Sequence, residues 1–515
     1  MSARPHVLSI DLGTSGPKVA LVSDAGQIAA STTRRVATLR LPDKGAEQDA
    51  EAIWTRVCDA IREVVGRSGV PAERIVGVGL VSQFFSLVPV DAEARPLSNL
   101  ILWMDGRGSP FAHELLAVEG APLTWLERHG MIPLPSGACS LSKMLWVQRE
   151  RPEIYEKTHA FLEPMDYLAA RLTGRFTANA CTAFPLLVGD HRHPNEARWD
   201  EDLIRLSGID RGKLPEMVPV GSQIGPLRRE VAEELGLTAG TSVYSGINDT
   251  QAVAVGAGTA RDGVGGVNVG TTGQVLAHTE RRHTDMEHGI VSAPSPVPGR
   301  YLALAENGLG AGSLDHLMRN VFFTNDALAD HRADDPFREI EAALSSSPPG
   351  ARGMLFLPWL TGAVAPESEA SMRGGFLNVS LETGRADMVR AVMEGIAYGL
   401  RWLLPAVEEF VGHEFTSLRF AGGAAVSEGW ARIMADATGR PVHQLADARH
   451  VINRASAYLT FCDRGEVDRS QLETFCPVKR KFEPEAEAAV LYDHLFEQFV
   501  RTFEQTRPIF QALNG

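Results

Sequence analysis

Two glycine-rich hairpin tips constrain this chain more than any other feature. Asp11-Leu-Gly13-Thr14-Ser15-Gly16-Pro17-Lys18 lies between the apolar runs Val7-Leu-Ser-Ile10 and Val19-Ala-Leu-Val22, which reads as strand, turn, strand. Far downstream, Gly266-Val-Asn-Val-Gly270-Thr271-Thr272-Gly273-Gln-Val-Leu276 repeats the design. Such a tip can approach a phosphate closely. Glycine removes bulk, Thr14 and Ser15 bring hydroxyls and backbone donors, Lys18 adds positive charge, and Asp11 is suited to a hydrated magnesium ion. One copy reads equally well as a surface hairpin. Two copies, each opening one half of the chain, point to a duplicated fold that holds a phosphate chain from both sides.

At 515 residues the chain exceeds a single core, so two domains are expected. A net charge of −14 argues against a sequence-independent grip on nucleic acid, which needs a basic face. Cys58, Cys139, Cys181, Cys462 and Cys476 are scattered and odd in number, so neither a disulfide frame nor a zinc site is signalled. Met1 to Pro5 lead directly into the first strand, and no apolar run is long enough for a bilayer. The expectation is a cytoplasmic protein with no membrane partner.

After the first hairpin, Ile28-Ala-Ala-Ser-Thr32 reads as a third strand, giving an antiparallel meander. Such an opening is that of the ribonuclease-H-like fold shared by actin, Hsp70 and sugar kinases. A helix with Ile53, Val57, Ile61, Val64 and Val65 on one face follows, entered through Glu47-Gln-Asp49. Ile75 to Val81 reads as a buried strand. Its end, Ser82-Gln83-Phe84-Phe85, is where a ligand would sit in an open α/β sheet. Trp103, Asp105 and Arg107 form either a sugar-friendly set or a buried tryptophan beside a surface ion pair. His191-Arg-His193 resembles a metal pair, but nothing nearby completes a coordination shell.

The short strand Val243-Tyr-Ser leads through Gly246 and Asn248 to Asp249, at the apparent start of a helix. A carboxylate there is either an N-cap or a general base, and on position alone the cap is favoured. In the second half, Gly308-Leu-Gly310-Ala-Gly312-Ser313 forms a glycine-rich helix entry. Apolar residues from Met388 to Leu404 mark a long core helix. Leu418 to Ala421 is a strand that runs into Gly422-Gly423, where a flat ring could lie against the backbone, with Ser427 as the cap of the next helix. The C-terminal segment from Glu485 to Arg507 is helical by pattern, for packing or for an oligomer contact.

In this order the motifs resemble the FGGY family of carbohydrate kinases, most closely its xylulokinase-like branch. The resemblance rests on Asp11-Leu-Gly-Thr-Ser-Gly16, Glu47-Gln-Asp49, Leu102-Trp-Met-Asp-Gly-Arg107, Gly246 to Asp249, Gly270-Thr-Thr-Gly273, Arg390-Ala-Val-Met-Glu-Gly395 with Tyr398-Gly-Leu-Arg401, and Gly422-Gly423 with Ala435-Asp-Ala-Thr-Gly439. It implies an α/β chain of two ribonuclease-H-like domains hinged about a central cleft, residues 1–245 mainly for sugar and 246–515 mainly for ATP. It further implies Asp249 as the general base and Asp11 as the residue that positions Mg2+, through water. Gly13, Thr14, Ser15, Lys18, Gly270, Thr271, Thr272, Gly310, Gly422, Gly423 and Ser427 would hold ATP. Gln83, Phe84, Phe85, Trp103, Asp105, Asn248 and Asp249 would face a small sugar, and a homodimer is a further expectation. Where xylulokinases carry Gln-Met-His, this chain has Gln83-Phe84-Phe85, which removes a polar reader of hydroxyls and favours a deoxy or methyl-bearing sugar. The competing reading on the same fold is an actin- or Hsp70-like ATPase driven by a protein partner.

Overall fold

The computed structural model describes residues 4–194, 196, 198–322 and 336–515. Met1, named above in the run into the first strand, lies outside them. The chain forms two compact units. The first comprises residues 1–256, 293–301 and 452–476, and the second 257–292, 302–451 and 477–515. Among the described residues no helix is long and apolar enough to cross a membrane.

In the first unit His6–Gly13, Gly16–Ser23 and Ile28–Thr33 form the expected antiparallel meander, and Ile75–Ser82 adds to His6–Gly13 in parallel. Ser242–Tyr244 and Ile247–Asn248 continue the sheet on the far side of Ile75–Ser82, again in parallel. Strands buried on both faces read as continuous apolar runs, and Val7, Leu8, Ile10 and Leu12 are all buried. Helix Ala50–Ser68 covers one face. The side chain of Asp49 accepts from Ala52 N at its start, and Gly69, with φ 66°, ends it. Its residues Ile53, Val57, Ile61 and Val64 enter the same core as Leu8 and Ile10.

The second unit repeats the order. Val264–Val269 pairs antiparallel with Thr272–Thr279, which neighbours Tyr301–Leu309, and on its other edge Val264–Val269 pairs in parallel with Ser417–Ala421 and then Val442–Leu445. Each unit thus has the ribonuclease-H-like arrangement of a meander extended by parallel strands. Helix Arg385–Val411 buries Val389, Val392, Met393, Ile396, Leu400, Leu403 and Leu404, the stripe expected from its 3.6-residue period. The C-terminal helix Ala486–Asn514 buries Tyr492, Leu495, Phe499 and Phe503 in this unit's core, so that face serves packing.

Candidate active site

Register gathers the first unit's chemistry at one edge. Leu12 is level with Ser82 across one parallel pair, and Ser82 with Asn248 across another. The chain therefore leaves the sheet at the same end at Gly13, Gln83 and Asp249, the end at which open α/β sheets receive ligands.

The first tip is a tight turn, with Gly13 opposite Gly16. Gly16 has φ 125°, and a Cβ there would lie 2.2 Å from the carbonyl oxygen of Arg34, so only glycine fits. Buried Gln48 donates through Nε2 to the carbonyl of Thr14 at 2.7 Å. Trp103 Nε1 donates to Thr14 Oγ1 at 3.1 Å, and Thr14 Oγ1 donates to Gln83 Oε1 at 2.7 Å. An indole N–H can only donate, so the proton of Thr14 must go to Gln83. This fixes the amide of Gln83 with its Nε2 turned away. That Nε2 is buried and, among the described residues, has no hydrogen-bond partner, so it is a donor available to a ligand.

Asp11 is buried and pairs with Lys18 Nζ at 3.5 Å. Burial raises its carboxyl above the usual range, and Lys18 partly opposes this. Asp249 opens helix Asp249–Ala257, but it is not the cap that position alone favours. Asn248 Oδ1 accepts from Gln251 N at 2.8 Å, and Gln251 Oε1 accepts from Asn248 N at 3.0 Å. That reciprocal pair is a capping box built on Asn248. Asp249 Oδ1 instead accepts from its neighbour Thr250, from N at 2.8 Å and from Oγ1 at 3.4 Å. Burial, and then the negative charge of Asp11, push the Asp249 carboxyl up to about 7, the range of a general base.

Phe84 and Phe85 stack obliquely, with ring centroids 4.8 Å apart. Trp103 is 37% exposed, so part of its ring is open to a ligand. Asp105 is 1% exposed, and its oxygens accept from Ala46 N at 2.8 Å and from Arg107 Nη2 at 2.7 Å. Arg107 also reaches Glu47 Oε1 at 2.6 Å and lies 4.0 Å over the ring of Trp146. Asp105 thus braces the loop that carries Trp103. Among the described residues no group of three or more His, Cys, Asp or Glu side chains could hold a metal.

In the second unit, Val264–Val269 and Ser417–Ala421 run in parallel with Asn268 level with Ala421. The tip at Gly270, Thr271 and Thr272 therefore emerges beside Gly422 and Gly423. Gly310 N donates to Thr271 O at 2.9 Å, and a Cβ on Gly310 would lie 2.7 Å from the backbone of Thr272, so the glycine-rich entry lets the next helix seat against the tip. Gly422 has φ 88°, and a Cβ there would lie 2.6 Å from Asn268 Oδ1 and from Val269 O. Gly423 faces open space, with no atom within 4 Å of a built Cβ. Ser427 caps helix Glu428–Thr438, accepting from Trp430 N at 3.0 Å and donating to Glu341 Oε1 at 2.6 Å.

Sequence reasoning missed two supports of the site. Gln48 stood inside a motif read as a helix entry and as part of the family resemblance, with no role given to its own side chain, although a glutamine flanked by two acids at a strand end is itself a signal. Lys143 and Glu163, beneath the Gln83 to Ser86 step, carry no local signal, because the contacts that matter are far off in sequence.

Family models for the N-terminal and C-terminal domains of the FGGY family of carbohydrate kinases match residues 6–256 and 265–452. A xylulose kinase of Staphylococcus epidermidis is 30% identical over 506 residues, covering 98% of this chain and 97% of that protein. A xylulose kinase of Bacillus subtilis is 28% identical over 512 residues, covering 99% of each. A gluconate kinase structure from Lactobacillus acidophilus matches the fold with a TM-score of 0.84 at 20% identity, covering 99% of this chain and 100% of that one. With matched models spanning both halves and a full-length relative at this identity, the chain belongs to the FGGY family of carbohydrate kinases.

Proposed function

We propose that the protein transfers the γ-phosphoryl group of ATP to a hydroxyl of a small sugar, a ketose such as a pentulose or a related polyol, with Asp249 as general base. The observation that carries this is the state of Asp249: it stands at the shared strand end, is released from capping by Asn248, and has a carboxyl near pH 7. The sugar oxygen bonds to phosphorus, its proton passes to Asp249, and the bond to the bridging oxygen of ADP breaks. Alignment and charge stabilisation supply most of the acceleration in such transfers. Gln83 Nε2 is the donor offered to a sugar oxygen, beside the half-exposed ring of Trp103 and the apolar Phe84 and Phe85. Within the first unit Gly13, Thr14, Ser15 and Lys18 are the phosphate-binding tip; within the second, Gly270, Thr271, Thr272, Gly310 and Gly422 form the tip of the same kind, and Gly423 leaves the space an adenine ring needs.

The residues fit magnesium held through water. Asp11 and Asp249 each keep a raised carboxyl, Asp249 partly through the charge of Asp11, and a cation would relieve both. Two carboxylates, with no fuller cluster among the described residues, suit an ion that retains most of its waters. When bound, magnesium supplies charge neutralisation on the phosphate oxygens. The xylulose kinases among the relatives support a ketose acceptor. The test is ADP release with ATP and magnesium across ketoses, deoxyketoses, polyols and aldonates, beside Asp249→Asn. Stimulation by one sugar that the substitution abolishes is expected; equal turnover in Asp249→Asn would remove the assigned role.

A further inference from the structure

The segment bearing the two phenylalanines is bracketed by Trp103. Gln83 joins it through Thr14, and Ser86 Oγ accepts from Trp103 N at 3.1 Å. Between those anchors, Phe85 has φ 57°. A left-handed backbone is uncommon for a residue with a Cβ and unfavourable for a bulky one, so the surroundings must impose it. Lys143, from helix Ser140–Glu150, reaches this residue and is 1% exposed. Its ammonium donates to the carbonyl of Phe85 at 2.6 Å and to that of Ala138 at 2.5 Å. One residue on, Glu163 Oε2 accepts from Ser86 N at 3.2 Å, while its Oε1 accepts from Ser140 Oγ, and Glu163 is fully buried. A buried cation thus holds one side of the Phe85–Ser86 peptide and a buried carboxyl the other.

A lysine is costly to bury for structure alone, because its charge must leave water for two carbonyl dipoles. Burial lowers its ammonium to about 8, a cost the fold bears in order to seat it there. We propose that Lys143 is a positioning residue for acceptor selection: seated on the carbonyl of Phe85, it holds that residue left-handed and so sets the apolar wall that Phe84 and Phe85 present beside Gln83 and Trp103. This rests on the reading of that edge as the sugar site.

The experiment measures the KM and kcat of Lys143→Met for the sugar that the unaltered protein phosphorylates, together with the KM for ATP. The same change is then made in a Phe85→Gly background. Glycine adopts φ 57° without help, so the clamp becomes dispensable there. Lys143→Met should raise the sugar KM about tenfold, the loss expected for a hydrogen bond from a charged donor, with kcat and the ATP KM nearly unchanged. In the glycine background the same change should shift the sugar KM less than about threefold. An equal factor in both backgrounds, or an unchanged KM in the single variant, overturns the proposal. Where Lys143→Met folds poorly, amide hydrogen exchange of residues 84–86 under native conditions in Lys143→Gln gives the second readout. Faster exchange confined to that step supports the clamp, and unchanged exchange overturns it. Failure of the unaltered protein to phosphorylate any sugar would strike the kinase reading instead, whatever the exchange data give.

Discussion

The hydroxyl of Thr14 donates to Oε1 of Gln83 across 2.7 Å, tying the tip of the first hairpin to the end of a strand 69 residues further on. Because Trp103 donates to the same hydroxyl, one side chain orients the amide that would read the sugar. Thr14→Val keeps the shape and removes both bonds. It should lower kcat/KM for the sugar about tenfold and stability by about 1 kcal/mol, measured by steady-state kinetics and urea unfolding.

Asp249→Asn separates chemistry from stability. Loss of the base should lower kcat by about a hundredfold or more. In the nucleotide-free and metal-free protein the same substitution should raise Tm, and the pH dependence of that gain has a definite sign. The folded carboxyl sits near 7 against 3.8 for an unperturbed aspartate, so ionising it opposes folding. The gain is absent below the unfolded value, grows between the two, and is full above about 7. Melting curves at several pH values check this, and a gain confined to acid pH would contradict the assigned environment.

Gly422 and Gly423 should respond differently to alanine. At Gly422 the added Cβ meets Asn268 Oδ1 and Val269 O at 2.6 Å on a backbone with φ 88°, so Gly422→Ala should destabilise the protein by about 1–3 kcal/mol. At Gly423 nothing lies within 4 Å. Gly423→Ala should leave unfolding unchanged and raise the KM for ATP, because only a bound ring would meet the methyl group. Urea titration and ATP kinetics on the pair distinguish the two roles.

Phe85→His restores a polar group at the position where the resemblance implies one. The ratio of kcat/KM for a hydroxylated ketose over its deoxy counterpart should rise about tenfold or more, since a partnered hydroxyl is discriminated more strongly than a methylene. A ratio that does not move would show that the wall at Phe85 does not contact the acceptor.

The sequence by itself determined what is local. Both hairpins, the helices with a 3.6-residue apolar stripe and the strand ends at Gln83 and Asp249 follow from periodicity and turn chemistry, which act over a few residues. Asp249 and Asp11 were joined in one site only through the family resemblance; the parallel pairing that brings their strand ends together is seen in the structure. Tertiary structure decided the rest. Only it gives the cap to Asn248 and frees Asp249, commits Asp105 to Arg107 and Ala46, and puts Lys143 and Glu163 under Phe85. It also returns residues 293–301 and 452–476 to the first unit. Those outcomes turn on which buried polar group finds which partner, a competition settled by distance in space between groups as far apart in the chain as Ser86 and Glu163.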